Sequence, residues 1–64
     1  MLPHQERVVI EKQELDEKIV KLDIFTNSLT FKSLDEYERE RLSGQLEYMN
    51  KYSSILGERI TAFK

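Results

Sequence analysis

The chain has 64 residues, no cysteine and a single histidine, His4. This composition excludes a disulfide framework and argues against a structural zinc site, which needs Cys or His ligands. Ten basic residues against twelve acidic ones give a net charge of −2, which argues against a general nucleic-acid binder because such proteins carry a basic face. A chain this short buries only about 60% of its unfolded surface, so residues 1–64 are expected to form one domain that is stabilised by self-association.

Apolar residues at helical spacing predict a first helix from about Gln5 to Thr26, with Pro3 at or just before its first turn. The residues expected to share its packed face are Val8, Leu15, Ile19, Leu22 and Phe25, continued by Leu29. Four further apolar residues widen this face: Val9, Ile10, Val20 and Ile24. An apolar surface this broad indicates more than one neighbour.

The connection is expected to cover about residues 27–33. The pattern Ser33-Leu34-Asp35-Glu36 has the form of a capping box, in which Ser33 accepts from the amide of Glu36 and starts the second helix. Leu29 and Phe31 are too apolar for a solvated loop, so we expect both to fold over the tip of the hairpin.

The second helix is expected to run from Leu34 to about Ala62. Its predicted packed face consists of Tyr37, Leu42, Leu46, Met49, Tyr52, Leu56, Ile60 and Phe63, with Ile55 alongside. Gly44 and Gly57 both fall inside this helix, where glycine is unfavourable. Each indicates a close helix–helix approach or a kink, or else is simply tolerated.

These elements predict an all-α fold, an antiparallel two-helix hairpin that self-associates with packing of the coiled-coil type. Apolar residues seven apart recur on both helices, which favours near-antiparallel packing. The longest apolar run is Val8-Val9-Ile10, far below the roughly 20 residues that cross a bilayer. Because no stretch resembles a signal peptide either, a cytoplasmic protein is expected.

Catalysis is not indicated by the residues. There is no thiol, no glycine-rich phosphate loop and one imidazole, and nothing predicts burial of carboxylate pairs such as Glu14 and Glu17. A solvated charged face is the simpler interpretation of those pairs, because acid–base work requires a perturbed pKa. The chain is expected not to be an enzyme and to need no cofactor or metal.

A basic cluster is predicted where the two ends of the hairpin meet. Antiparallel packing would bring together the polar residues His4, Gln5, Arg7, Arg59, Thr61 and Lys64. Arginine forks and a threonine hydroxyl suit a phosphate, and the first-turn amides of the first helix add positive potential beside them. The alternative is that Arg59 and Lys64 only complement the dipole at the end of the second helix.

The three tyrosines form another candidate feature. Tyr52 lies on the predicted packed face and is interpreted as structural, whereas Tyr48 lies off it and can face a partner or a ligand. Gln45, Tyr52 and Arg59 are seven apart and form a line beside the apolar face, which indicates a second oligomer interface or the wall of a groove.

The chain resembles small helical-hairpin proteins encoded by tailed phages. The matching residues of the first helix are Gln5, Arg7, Val8, Glu11, Lys12, Glu14, Leu15, Asp16, Lys18, Ile19, Lys21, Leu22 and Phe25. Those that follow are Phe31, Leu34, Leu42, Gln45, Met49, Tyr52, Leu56, Arg59 and Ile60. A related hairpin domain occurs in phage sponge proteins that oppose CBASS and Thoeris immunity.

The resemblance implies a homo-oligomer, such as the hexamer that those sponges form, in the host cell cytoplasm. This oligomer would bind a cyclic di- or trinucleotide between protomers and sequester it uncleaved. It implies phosphate contacts by Arg59 and Thr61, and base stacking by Tyr48 or Tyr52 with a charge contact from Lys51. Two other classes stay open, a protein-interaction module that inhibits a host protein and a purely structural coiled-coil hairpin. The interaction module predicts a monomer or dimer that is indifferent to nucleotides and co-purifies with a host protein.

Overall fold

The computed structural model describes residues 1–63, which form three helices in chain order: α1 (Pro3–Thr26), α2 (Leu29–Lys32) and α3 (Glu36–Thr61). None of these residues lies in a strand, so the predicted all-α class is confirmed. α1 starts two residues earlier and α3 two residues later than the sequence predicts. No helix within residues 1–63 is both long and apolar enough to cross a bilayer.

The two long helices pack against each other in antiparallel directions. Lys12 lies beside Gly57, and Asp16 lies beside Ser53. Four residues forward along α1 therefore correspond to four residues back along α3. The result is a thin rod with extents of 47 × 14 × 13 Å, close to the length of a single long helix.

The core is a narrow seam between α1 and α3. Leu56 is fully buried in this seam, and Val8 and Ser53 are buried as well. The other apolar residues of the seam are only half-buried: Leu15, Ile19, Leu22, Phe25, Leu42, Leu46, Met49, Ile60 and Phe63. Helical spacing predicts all of these apolar positions correctly, but two helices cover each other on one side alone.

Leu29 and Tyr37 are not part of this seam, contrary to the sequence-based prediction. Leu29 is 81% exposed and Tyr37 is 67% exposed. The chain leaves α1 at Asn27 and starts a new helix at Leu29, so the side chain no longer continues the face of α1. Tyr37 precedes Leu42 by five residues, a spacing that places the two on opposite sides of a helix.

The predicted capping box at Ser33 is wrong, because α2 occupies the connection. Ser33 closes α2, where its hydroxyl donates to the Thr30 carbonyl oxygen at 2.7 Å. Asp35 caps α3 instead, and its carboxylate accepts from the Tyr37 amide at 3.0 Å. A short helix between the two long ones thus moves the start of α3 beyond Ser33.

Phe31 covers the tip of the hairpin as the sequence predicts. Its ring meets the ring of Phe25 edge to face, with centroids 6.0 Å apart and an interplanar angle of 82°. Ser28 starts α2 by accepting from the Phe31 amide at 3.2 Å. The cap and the aromatic pair together hold α2 against the end of α1.

Candidate functional site

The residues predicted to bind phosphate lie at one end of the rod. We call it the open end, and it consists of residues 3–8 in α1 and residues 57–63 at and just after the end of α3. Arg7, Arg59 and Thr61 lie at this end because antiparallel packing places the start of α1 beside the end of α3. All three side chains are exposed. Both arginine side chains have only donors and carry like charges, so they do not bond to each other. Lys64, which the sequence adds to this cluster, lies outside the described residues.

Thr61 makes a side-chain hydrogen bond within its own helix, and Arg59 does not. The Thr61 hydroxyl donates its one proton to the Gly57 carbonyl oxygen at 3.0 Å, so it must leave this bond before it can donate to a phosphate. Arg59 stands in the last turn of α3, where its charge complements the helix dipole. The guanidinium has no hydrogen-bond partner in the described part of the chain, so it can bind an anion at the open end.

Tyr52 lies on α3 between the middle of the rod and the open end, and it makes a hydrogen bond to α1. Its hydroxyl donates to the Glu11 carboxylate across the helix pair. This hydrogen bond, together with desolvation and the charge of Glu11, raises the pKa of Tyr52, and the positive charge of Arg59 opposes the shift. Tyr52 is 43% exposed, so it lies at the rim of the seam and not inside it. Its cross-helix hydrogen bond fits the structural role that the sequence predicts.

Tyr48 and Lys51 form a separate exposed pair. The Lys51 ammonium lies 5.2 Å from the centre of the Tyr48 ring and 3.3 Å from the Glu47 carboxylate. Tyr48 is eleven residues before Arg59, a distance of about 16 Å along the helix. One hairpin therefore does not gather the five predicted ligand-binding residues, Arg59, Thr61, Arg7, Tyr48 and Lys51, into a single concave site.

A polar bridge of Lys12, Asp16 and Ser53 crosses the seam beside the open end. The Lys12 ammonium donates to Asp16 at 2.8 Å and to Ser53 at 2.9 Å, and the Ser53 hydroxyl donates to Asp16 at 2.5 Å. These hydrogen bonds, from Lys12 first and then Ser53, lower the pKa of Asp16 despite partial desolvation. Sequence analysis missed the bridge, although Ser53 stands four residues after Met49 and three before Leu56 on the packed face.

The opposite end of the rod holds an open groove of about 600 Å³. Its lining residues are Phe31, Glu36, Arg39, Glu40, Ser43, Gly44 and Glu47. The Arg39 Nε is buried without a hydrogen-bond partner among the described residues, but three carboxylates disfavour an anionic ligand. They do not form a metal site either, since within residues 1–63 no three His, Asp or Glu side chains are grouped to hold one ion.

Comparison with known protein families gives a match over the whole hairpin. A family model described as Sequestin matches residues 2–62, a region that contains α1, α2 and α3. Comparison with curated proteins and with solved structures gives no significant match. The match therefore does not rest on one amphipathic helix alone.

Proposed function

Because this chain belongs to the Sequestin family, we propose that it is a sponge, a protein that binds a cyclic oligonucleotide immune signal and sequesters it without cleaving it. Family membership is the observation that carries the proposal, since the family's name denotes sequestration of a ligand. The proposed setting is the cytoplasm of a phage-infected host cell. A non-enzymatic role agrees with a chain that offers one histidine and no thiol for catalysis.

The proposed sponge acts as a homo-oligomer, with six copies as the assembly that the resemblance to phage sponges implies. Small ligands bind in concave sites that cover most of their surface. Arg7, Arg59 and Thr61 are exposed on the end of a rod about one helix pair wide. Two or more copies are needed to surround a nucleotide with these side chains.

Arg59 is the proposed principal phosphate contact, with Thr61 and Arg7 beside it. A guanidinium offers paired donors that match phosphate oxygens, and these charge-assisted bonds are about twice as strong as neutral ones. Tyr48, with the Lys51 ammonium over its ring, is the proposed stacking surface for a base of a nucleotide that a neighbouring copy binds through its phosphates. Repeating Arg59 around an assembly concentrates positive charge locally, despite a net charge of −2 per chain.

The test is binding of cyclic dinucleotides, cyclic trinucleotides and cyclic ADP-ribose isomers, measured by thermal shift and then by calorimetry. A ligand that binds only the folded protein raises the melting temperature with its concentration. We expect Arg59→Ala to raise the Kd by roughly 10- to 100-fold, the loss of a charge-assisted contact. Lys32→Ala is the matched control, because it removes one exposed positive charge from the far end of the rod.

Sequestration also predicts that the ligand survives. Heating the complex should release the nucleotide chemically intact, as judged by chromatography against the starting compound. A folded protein that shifts with none of these ligands contradicts the proposed function, and a binding protein whose Kd is the same in Arg59→Ala removes Arg59 from the site.

A second candidate function is a protein-interaction module that inhibits a host protein. One observation favours it, an exposed apolar line on the outer side of α1 formed by Ile10, Val20 and Ile24. Exposed apolar patches on small proteins often mark partner sites. A host protein retained by the wild-type chain and lost with Val20→Glu, in the absence of any nucleotide effect, would favour this function over the sponge.

A further inference from the structure

The two glycines of α3 differ in what occupies the space beside them. A Cβ at Gly57 would meet the Lys12 side chain at 3.4 Å, whereas a Cβ at Gly44 would meet nothing within 4 Å. Neither glycine has a positive φ, so backbone conformation requires neither. Glycine is the poorest helix former after proline. Within one chain, the stem of Lys12 accounts for a small residue at position 57, and no neighbouring atom accounts for one at position 44.

Gly44 lies at the centre of an exposed surface that we call the outer face of α3, formed by Tyr37, Gly44, Tyr48, Lys51 and Ile55. Tyr37, Tyr48 and Ile55 are 67%, 70% and 51% exposed. At 3.6 residues per turn these positions share one side of the helix, the side away from α1. Tyrosine and isoleucine side chains this exposed around a glycine form a surface on which another helix can approach closely.

One edge of the outer face carries two arginines and the other carries two glutamates. Lys51 also lies on the glutamate side, where it is paired with Glu47 at 3.3 Å. Arg41 is paired with Glu38 at 3.3 Å. Arg41 and Arg59 are eighteen residues apart, five whole turns, and stand about 50° to one side of the centre of the face. Glu40 and Glu58, one residue before each arginine, stand about 50° to the other side. All four side chains are exposed.

This charge pattern distinguishes the two ways in which a second α3 can pack on the outer face. In an antiparallel pair like edges meet, so Glu40 and Glu58 cannot face Arg41 or Arg59 of the second copy. In a parallel pair related by a twofold axis along the helices, unlike edges meet, and each contact occurs twice. Arg41 then faces Glu40 of the second copy, and Arg59 faces Glu58 of the second copy, while the two Gly44 backbones approach at the centre.

We propose that the outer face of α3 binds the same face of a second copy of this chain in parallel orientation, with contact at Gly44. The inference rests on the self-association within the proposed function and specifies its interface. It places the open ends of both copies at the same end of the dimer, so Arg59 and Thr61 of two chains border one region. Tyr48 and Lys51 then contact the second copy, in place of the base-stacking role proposed for them above. Rim ion pairs contribute little free energy, so Arg59 remains available to a phosphate there.

Disulfide trapping without any nucleotide tests the orientation, since the chain has no cysteine of its own. Tyr37→Cys and Ile55→Cys place a thiol near either end of the outer face, and mild oxidation joins two thiols only where they approach each other. Parallel packing predicts covalent dimers for both variants, because each position faces its own copy. Val20→Cys, a comparably exposed apolar position on α1, is the control and should form no covalent dimer.

Crosslinking of neither variant, of only one, or of Val20→Cys to the same extent would overturn the proposal. Charge reversal supplies an independent readout by sedimentation. Arg41→Glu and Glu40→Arg should each weaken association by about three- to tenfold, because each reversal places two like-charged pairs across the axis. The double variant should restore association, because the charges exchange across the axis. A double variant no better than the singles overturns the edge pairing.

Gly44→Gln tests the close approach without disturbing the hairpin, since its side chain enters open space in the single chain. We expect unchanged or higher helicity by circular dichroism and a mass lower by a factor of two or more in sedimentation. A mass equal to that of the wild type overturns the contact at Gly44. These readouts contain no nucleotide, so they fail independently of the ligand-binding test of the proposed function.

Discussion

Gly57 and Lys12 face each other across the helix pair, with 3.4 Å between Lys12 Cε and the position that a Cβ at Gly57 would occupy. The glycine leaves room for the stem of the lysine to lie along α3. Lying there, the Lys12 ammonium reaches Ser53 on α3 and Asp16 on its own helix. A small residue in one helix thus determines that a charged residue of the other can enter the seam.

The hairpin should remain stable when Gly57 is replaced by alanine and should lose stability when it is replaced by leucine. Alanine adds a methyl group at ordinary contact distance and removes the helix cost of glycine, so we expect Gly57→Ala to be neutral or stabilising by up to about 1 kcal/mol. Gly57→Leu must displace Lys12 and should destabilise by about 1–3 kcal/mol. Urea unfolding at one protein concentration measures both, and a leucine variant as stable as the alanine variant would contradict the close contact.

Ser53 is the buried hydroxyl of the polar bridge, and its neighbour Ser54 is exposed. Ser53→Ala removes one acceptor for Lys12 and one donor to Asp16. Because a typical hydrogen bond contributes about 1 kcal/mol to stability, we expect a loss of about 1–2 kcal/mol. Ser54→Ala makes the same chemical change in the same helix and should have little effect. Equal unfolding midpoints for the two variants would show that the bridge is not stabilising.

Asp16 should make the hairpin sensitive to acid. Hydrogen bonds from Lys12 and Ser53 lower the pKa of Asp16 in the folded state, so its contribution is present above the unfolded pKa of about 4 and is lost as the pH falls further. Asp16→Asn should therefore show a weaker decline in the urea midpoint below about pH 4 than the wild type. Asp23→Asn, at an exposed position of α1, should retain the wild-type decline. Parallel pH profiles for wild type and Asp16→Asn would argue against this role.

The start of α3 distinguishes the two candidate caps directly. Asp35 accepts from the Tyr37 amide at 3.0 Å, whereas the Ser33 hydroxyl donates to Thr30 in the preceding helix. We expect Asp35→Ala to cost about 1 kcal/mol, as is usual for the loss of an N-cap. Ser33→Ala should cost less, because it removes no cap of a long helix. Thermal unfolding of the two variants compares them, and the reverse order of stability would restore Ser33 as the cap.

Prediction from the sequence succeeded where it depended on spacing within one helix. Val8, Leu15 and Leu56 were assigned to the packed face because residues three, four and seven apart share a side of a helix. It failed at Ser33 because a capping box describes one helix boundary, and the short α2 places a second boundary within two residues of it. The spacing of Tyr37 from Leu42 already contained the information that Tyr37 faces outward.

The candidate site was predictable in part. Matched helical patterns were enough to place Arg7, Arg59 and Thr61 at the same end of an antiparallel hairpin. Their exposure, and the distance of Tyr48 from Arg59, follow from a rod of two helices that encloses no cavity among them. A single described hairpin therefore does not by itself enclose a ligand with these side chains.

By itself, the sequence determined the helices, the side of each that packs, and the excess of apolar surface, because all three depend on local periodicity. Only the tertiary structure decided that Lys12 meets Ser53, 41 residues away, and that Ser53 meets Asp16, 37 residues away. Contacts at such separations depend on the axial register of α1 against α3, which no local pattern encodes. The same register places the Lys12 side chain in the space beside Gly57 and leaves the space beside Gly44 open.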